Sequence, residues 1–329
     1  MGGSEFAGVT QAATGVPRGG NRSEASRLRP IFLTTTSRRM IPPPDSSGFT
    51  TSTDVPLYWV RYGPSGSSPL LVLHGGPGAH HDYLLPQMLE LARNHELVLY
   101  DQRGGGRSKT DDRAPITWRT HVRDLDRVIG ELSLGTPTVV GYSWGGLLAM
   151  LFAIEAAAGR TEHRLSRLVL IDPAPVTREF RRAFETEFAA RQSSAAVAEL
   201  RSRLAASGLR ERDPDAYRQR NFELGVAGYF ADPATAHDLT PFRVTGRVQQ
   251  SVWDSLDDFD LLAPGQLDSV HLPALVVHGR QDPIPIDSSI AAADALGAEF
   301  VPIDGSGHVP YVEQPRALFS AIRSFLGDA

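Results

Sequence analysis

The 329-residue chain contains no cysteine, which excludes disulfides, thiolate metal sites and cysteine nucleophiles. Lys109 is the sole lysine, a bias that points to a GC-rich coding sequence more than to any function. No apolar run approaches the roughly 18 residues needed to suggest a membrane span. No apolar h-region marks a secretory signal, so a cytoplasmic location is expected. A formal net charge of −5 gives no reason to expect nucleic acid or an anionic membrane as partner. Internal repeats are absent too. What is present is ordinary for a globular enzyme: 41% hydrophobic and 22% charged residues, in a chain long enough for one large α/β domain.

Residues 1–45 are rich in Gly, Ser, Thr and Arg, lack an apolar period and end in Pro42-Pro43-Pro44. They are expected to be a disordered or vector-derived tail, with Met40 a natural start. From Phe49 onward short apolar runs alternate with helical patterns. Strands are predicted over 55–62, 70–73, 97–100, 137–140, 168–171, 274–277 and 299–303. Trp118, Val122, Leu125, Ile129 and Leu132 recur at helical steps behind Thr117, a plausible N-cap. Gly146–Ala158 reads as a nearly all-apolar helix, and Pro315 opens a last amphipathic one. This alternation predicts a mostly parallel twisted sheet covered by helices on both faces. The rhythm lapses between residues 176 and 250, where helical Ala- and Arg-rich stretches contain no buried strand. That segment is expected to be a helical cap inserted into a core formed by residues 46–175 and 251–329.

The chemistry concentrates at strand ends. Val139-Val140-Gly141-Tyr142-Ser143-Trp144-Gly145-Gly146 carries a G-x-S-x-G pattern between a strand and a helix. A tight turn flanked by glycines is what exposes a serine hydroxyl at a sheet edge, so Ser143 is the candidate nucleophile. Serine needs a base and an orienting group. Of ten histidines, His308 in Gly305-Ser306-Gly307-His308 is the candidate base, on a small-residue loop after the last strand. His278 reads as strand packing, and His80 and His81 as loop residues. Asp282, past the 274–277 strand, is the preferred acid, with Asp172 as its rival. Oxyanion donors are expected from the Trp144 N–H at a helix N-terminus and from the Gly76 N–H in His74-Gly75-Gly76-Pro77-Gly78. No cofactor or metal is implied.

Three segments together resemble the prolyl iminopeptidase group of α/β-hydrolases: His74–Gly78, Asp101-Gln102-Arg103-Gly104-Gly105-Gly106-Arg107-Ser108 and Ser143-Trp144-Gly145. The Gly279–Asp282 and Gly307–His308 stretches match as well, and the similarity spans roughly residues 48–329. It implies an α/β-hydrolase fold with an inserted helical cap and a metal-independent serine aminopeptidase acting on short peptides or amino-acid amides. The Ser143–Asp282–His308 triad and the oxyanion donors Gly76 and Trp144 carry over onto matching positions.

Two departures stand out. Tyr142 replaces the glycine usual before the serine. Val226-Ala227-Gly228-Tyr229-Phe230 lacks the acid that this group places in the corresponding cap stretch to hold a substrate's α-ammonium. Glu223, about one helical turn earlier, is the candidate substitute, and Glu185, Glu187 and Glu199 are weaker ones. Phe180, Phe184 and Phe188 form a stripe that either packs the cap onto the core or, with Tyr229, lines an apolar substrate pocket. The alternative function is therefore a carboxylesterase or lactonase with the same triad. A non-enzymatic ligand receptor comes third.

Overall fold

Fully buried Leu, Val and Ile residues, whose branched or bulky side chains suit a pleated surface, dominate the inner strands. The structure, a computed structural model, describes residues 41–111, 115–256 and 258–328. The tail expected over 1–45 thus lies mostly outside the described residues. Residues 41–45 do not: the Asp45 N–H donates to Arg61 O at 2.9 Å and continues a strand pairing.

Eight strands form one sheet in the order β1-β2-β4-β3-β5-β6-β7-β8. They are β1 (Ser46–Phe49), β2 (Tyr58–Tyr62), β3 (Pro69–Leu73), β4 (Glu96–Tyr100), β5 (Thr138–Tyr142), β6 (Arg167–Ile171), β7 (Ala274–Gly279) and β8 (Glu299–Ile303). β1 and β2 pair antiparallel, as do β2 and β4, and every later pairing is parallel. Seven of the eight match sequence expectation. β1, read Ser-Ser-Gly-Phe, was not predicted because an exposed edge strand needs no apolar run.

Side chains alternate between two cores, as the pleat requires. Leu71, Leu73, Val139, Leu168, Leu170 and Val276 face one, and Leu70, Val72, Val140, Val169, Ile171, Leu275 and Val277 the other. All thirteen are essentially inaccessible, and each contributes about 1.5–3 kcal/mol by leaving water. Both faces are apolar, so the inner strands read as continuous hydrophobic runs.

The helices are α1 (Trp118–Glu131), α2 (Trp144–Ala157), α3 (Arg178–Gln192), α4 (Ala195–Ala206), α5 (Leu209–Arg212), α6 (Pro214–Val226), α7 (Gly246–Asp254), α8 (Ile286–Leu296), α9 (Pro310–Glu313) and α10 (Pro315–Leu326). Thr117 caps α1 in a reciprocal box with Thr120, whose N–H donates to Thr117 Oγ1 at 3.3 Å. Among the described residues, α3 to α7 and no strand lie between β6 and β7. α7 runs across residue 250, where the sequence places a cap boundary, because Val248, Val252 and Trp253 pack into the first core. No helix among the described residues is long and apolar enough to cross a membrane.

The strand order has a chemical consequence. β3, β5, β6, β7 and β8 are neighbours and parallel, so the loops leaving their C-terminal ends emerge side by side. Those loops carry Gly76, Ser143, Asp172, Asp282 and His308. Where β5 turns into α2 the backbone is so close that a Cβ on Gly145 would lie 2.1 Å from Leu73 O. Gly145→Ala is accordingly expected to destabilise the protein by about 1–3 kcal/mol in urea titration. Gly225→Ala, in α6 with nothing within 4 Å of the added carbon, is expected to stabilise it by about 0.5–1 kcal/mol. Equal midpoints for the two variants would mean that the chain has room for a side chain at Gly145.

Candidate active site

Ser143 occupies the corner between β5 and α2 with φ 53° and ψ −119°, a conformation that costs about 1–3 kcal/mol for a side-chain-bearing residue. The surrounding hydrogen bonds hold it there. Its N–H donates to Ile171 O at 3.0 Å, and its carbonyl accepts from the N–H groups of Gly146, Leu147 and Ala174. Unlike its neighbours Tyr142 and Trp144, Ser143 is only partly buried, so its hydroxyl is reachable.

His308 Nε2 lies 2.9 Å from Ser143 Oγ, and His308 Nδ1 lies 2.7 Å from Asp282 Oδ2. Asp282 Oδ1 accepts from the Ile284 N–H at 2.7 Å. These contacts set the tautomer: Nδ1 carries the proton toward Asp282, leaving Nε2 free to accept from serine. Burial pushes the His308 imidazole below the ordinary histidine range and the Asp282 carboxyl above the ordinary carboxylate range. The arrangement can take a proton from Ser143 and stabilise the imidazolium that results.

Several side chains that sequence reasoning missed hold this loop. The Tyr142 hydroxyl donates to His308 O at 2.9 Å, which gives the residue before the nucleophile a task that glycine could not perform. Glu313 accepts from the Gly307 N–H at 2.7 Å and from the Ala231 N–H at 2.8 Å, joining the histidine loop to the segment after α6. The His308 N–H donates to Tyr229 O at 2.7 Å, and the Tyr229 ring stacks on the His308 ring at 5.0 Å. No local pattern around Glu313 announces that role, since its partners are backbone N–H groups, one across the histidine loop and one 82 residues away.

The glycine loop after β3 packs directly on the nucleophile. A Cβ on Gly75 would lie 2.9 Å from Ser143 Cβ, so glycine is needed for this approach. The Gly75 N–H donates to the Tyr83 hydroxyl at 2.6 Å. His74, fully buried, accepts the Gln102 N–H on Nε2 at 3.0 Å and donates Nδ1–H to Gly75 O at 2.9 Å. Burial lowers its pKa to about 4, keeping it neutral. Gln102 Nε2 donates to His74 O at 2.9 Å, while Gln102 Oε1 accepts from Trp144 Nε1 at 2.7 Å. One amide thus ties the glycine loop to the first residue of α2, the two segments expected to supply oxyanion donors. Around it, the Asp101–Ser108 segment is scaffolding. Asp101 Oδ1 accepts from His81 Nδ1 at 2.6 Å and Oδ2 from the Arg107 N–H at 2.8 Å. Arg103 forks onto Asp124 of α1 at 2.6 and 2.7 Å. His81, expected as a plain loop residue, is therefore a buried structural one.

The expected substrate residues separate. Phe184, Phe188 and Tyr229 form a continuous aromatic row that reaches His308, with Phe188 and Tyr229 centroids 4.4 Å apart. Phe180 instead packs against the first core. Glu223 is buried, but its carboxylate already accepts from Arg220 Nη1 at 2.7 Å and Gln219 Nε2 at 2.9 Å. Glu185, Glu187 and Glu199 pair with Arg181, Arg191 and Arg203 one turn away.

A family model described as alpha/beta hydrolase fold matches residues 68–315. The chain is 27% identical over 284 residues to a proline iminopeptidase of Levilactobacillus brevis, covering 79% of this chain and 88% of that protein. It is similar in structure to the proline iminopeptidase of Mycobacterium smegmatis, with TM-score 0.60 and 23% identity over 86% of this chain and 98% of the other. It is also similar to the enol-lactonase of Burkholderia xenovorans LB400, with TM-score 0.58 and 20% identity over 85% and 100%. At these identities the two solved structures speak for the fold.

The Gln102 bridge yields a direct expectation. Gln102→Met keeps the side-chain length but leaves Trp144 Nε1–H buried without its acceptor, at a cost of about 1–3 kcal/mol. Thermal unfolding is expected to show that loss, and steady-state kinetics a kcat reduced at least tenfold with a smaller change in KM. Wild-type kcat in a destabilised Gln102→Met protein would mean the bridge does not position the site.

Proposed function

The chain belongs to the α/β-hydrolase fold family, and we propose that it is a serine hydrolase acting through an acyl-enzyme on Ser143. The observation that carries this reading is the unbroken chain from Ser143 Oγ through the His308 ring to the Asp282 carboxyl, at 2.9 and 2.7 Å. In this reading Ser143 Oγ attacks a carbonyl carbon while His308 Nε2 takes its proton. The carbonyl oxygen becomes an oxyanion beside the N–H groups of Gly76 and Trp144. His308 then protonates the leaving group, and water, deprotonated by the same nitrogen, releases the acid and frees Ser143. Each oxyanion donor lowers the barrier by about 3–4 kcal/mol.

For the substrate, we infer a short peptide or amino-acid amide from which an N-terminal residue, such as proline, is removed. The proline iminopeptidases that the chain resembles over most of its length support this, as does Glu223, a buried carboxylate on α6. A second reading, an ester or lactone substrate, is favoured by one specific observation. Each of the four acids considered for a substrate ammonium is already paired with an arginine, while the row leading to His308 is aromatic.

The two readings part in one experiment. Kinetics on proline β-naphthylamide, its N-acetyl derivative and p-nitrophenyl butyrate are expected to favour the free amine, with acetylation removing the preference. Glu223→Gln should then raise KM for the free amine alone. Activity confined to the ester selects the second reading. In either case Ser143→Ala is expected to lower kcat by at least about 1,000-fold while leaving the fold intact, and near-wild-type turnover in that variant would sink the serine mechanism.

A further inference from the structure

Asp172 follows β6 directly, between the strand that presents Ser143 and the strand that leads to Asp282. Its φ is 41°, a left-handed value that aspartate tolerates better than most residues. The side chain is entirely buried. Oδ1 accepts from the Gly279 N–H at 2.7 Å, but Oδ2 has no hydrogen-bond donor among the described residues. An ionised carboxylate left so in the interior would be strongly destabilising.

The groups facing Asp172 are Tyr142 from β5, His278 from β7, Tyr311 from α9, and Asp282 and His308 from their loops. None of them supplies a cation in the resting state. The Tyr142 hydroxyl is engaged with His308 O. His278 Nδ1, 3.6 Å from Asp172 Oδ1, accepts from the Ser289 hydroxyl at 2.9 Å, and Nε2–H donates to Ile284 O at 3.2 Å. Both nitrogens of His278 are thus occupied, and burial lowers its pKa to about 4, keeping it neutral. Arg191 is engaged by the Glu187 carboxylate and by the backbone carbonyls of Gln281 and Asp282. Glu313, the remaining acid near Asp282, is spent on the Ala231 and Gly307 N–H groups.

Asp172 instead faces Asp282. Oxygens of the two carboxyls and a ring nitrogen of His278 lie within 4.8 Å of one another. Two buried carboxyls so placed repel each other as anions, which favours a single proton held by the pair. Asp282 receives two donors, His308 Nδ1–H and the Ile284 N–H, and both favour its ionised form. Asp172 receives one donor and leaves an oxygen bare. Burial and the neighbouring Asp282 carboxyl push Asp172 well above the carboxylate range.

We propose that Asp172 is a positioning residue held as the neutral acid, its Oδ2–H donating to the Asp282 carboxylate so that the negative charge stays on the carboxyl facing His308. Its Oδ1 meanwhile fixes the turn that carries Asp282, through the Gly279 N–H and the bond from the Asp282 N–H to Gly279 O at 2.9 Å. The functional part of this inference rests on the triad reading; the protonation state does not.

Infrared difference spectroscopy of the wild-type protein at pH 8 tests the protonation state alone. A protonated-carboxyl carbonyl stretch that vanishes in Asp172→Asn is expected, and its absence from the wild type overturns the proposal whatever Ser143 does. The pH profile of kcat/KM tests the role. Asp172→Ala removes the donor, makes Asp282 more basic and is expected to move the acidic limb to higher pH, with kcat/KM down about tenfold or more. Asp172→Asn keeps an N–H donor for Asp282 and a carbonyl for Gly279, and is expected to recover most of that loss with the limb back in place. If Asp172 is instead charged, both variants delete a negative charge and both limbs move to lower pH, which overturns the assignment. Should the alanine variant fail to fold, the asparagine profile and the infrared band decide the matter.

Discussion

Everything around the site depends on one constrained residue. Ser143 sits in a backbone conformation that a side-chain-bearing residue avoids, at a corner so tight that Gly141 and Gly145 leave no room for a Cβ. A Cβ on Gly141 would lie 2.5 Å from Gly145 O, and one on Gly145 would strike Leu73 O. The strain persists because three N–H groups converge on the Ser143 carbonyl and its own N–H reaches across to β6. That local demand explains why the sequence spends its small residues where β5 meets α2, and why α2 behind them is almost wholly buried.

The remaining site is assembled by neighbouring strands, each delivering one group from its C-terminal end. Their parallel order makes proximity a property of the sheet; the fine placement comes from side chains that do no chemistry themselves. Gln102 ties the glycine loop to Trp144, Tyr142 and Glu313 hold the histidine loop, and Asp172 closes the back of the acid. Gln102, Tyr142 and Glu313 all have their side-chain polar atoms engaged, which rigidifies the site. The segment between β6 and β7 contributes through Tyr229, which covers one face of the His308 ring and extends it into the Phe184–Phe188 row.

Much of this was legible in the sequence because its signals are local. The inner strands declare themselves as apolar runs buried on both faces, and Gly141 to Gly145 declare a tight turn around a serine. Ser143, Asp282 and His308 could be listed from their positions after β5, β7 and β8, and the structure brings the three side chains into hydrogen-bonding contact. What stayed hidden is non-local. β1 is an exposed edge strand with no apolar period. Gln102 and Glu313 matter through partners 28 residues away or across a loop, and Asp172, legible only as a rival acid, holds the Gly279 N–H from 107 residues away. His81 looked like a loop residue because its partner Asp101 lies 20 positions on. Glu223 shows the opposite difficulty: its position suggested a free carboxylate, whereas helix neighbours Gln219 and Arg220 already occupy it.

The most direct measurement is mechanism-based labelling of the wild-type protein with a fluorophosphonate, followed by intact mass and peptide mapping. A single phosphonyl adduct on Ser143, formed in step with loss of hydrolytic activity and strongly slowed in His308→Ala, is the expected result. Labelling of another residue, or full activity in protein carrying the adduct on Ser143, would contradict the assignment of this serine as the nucleophile.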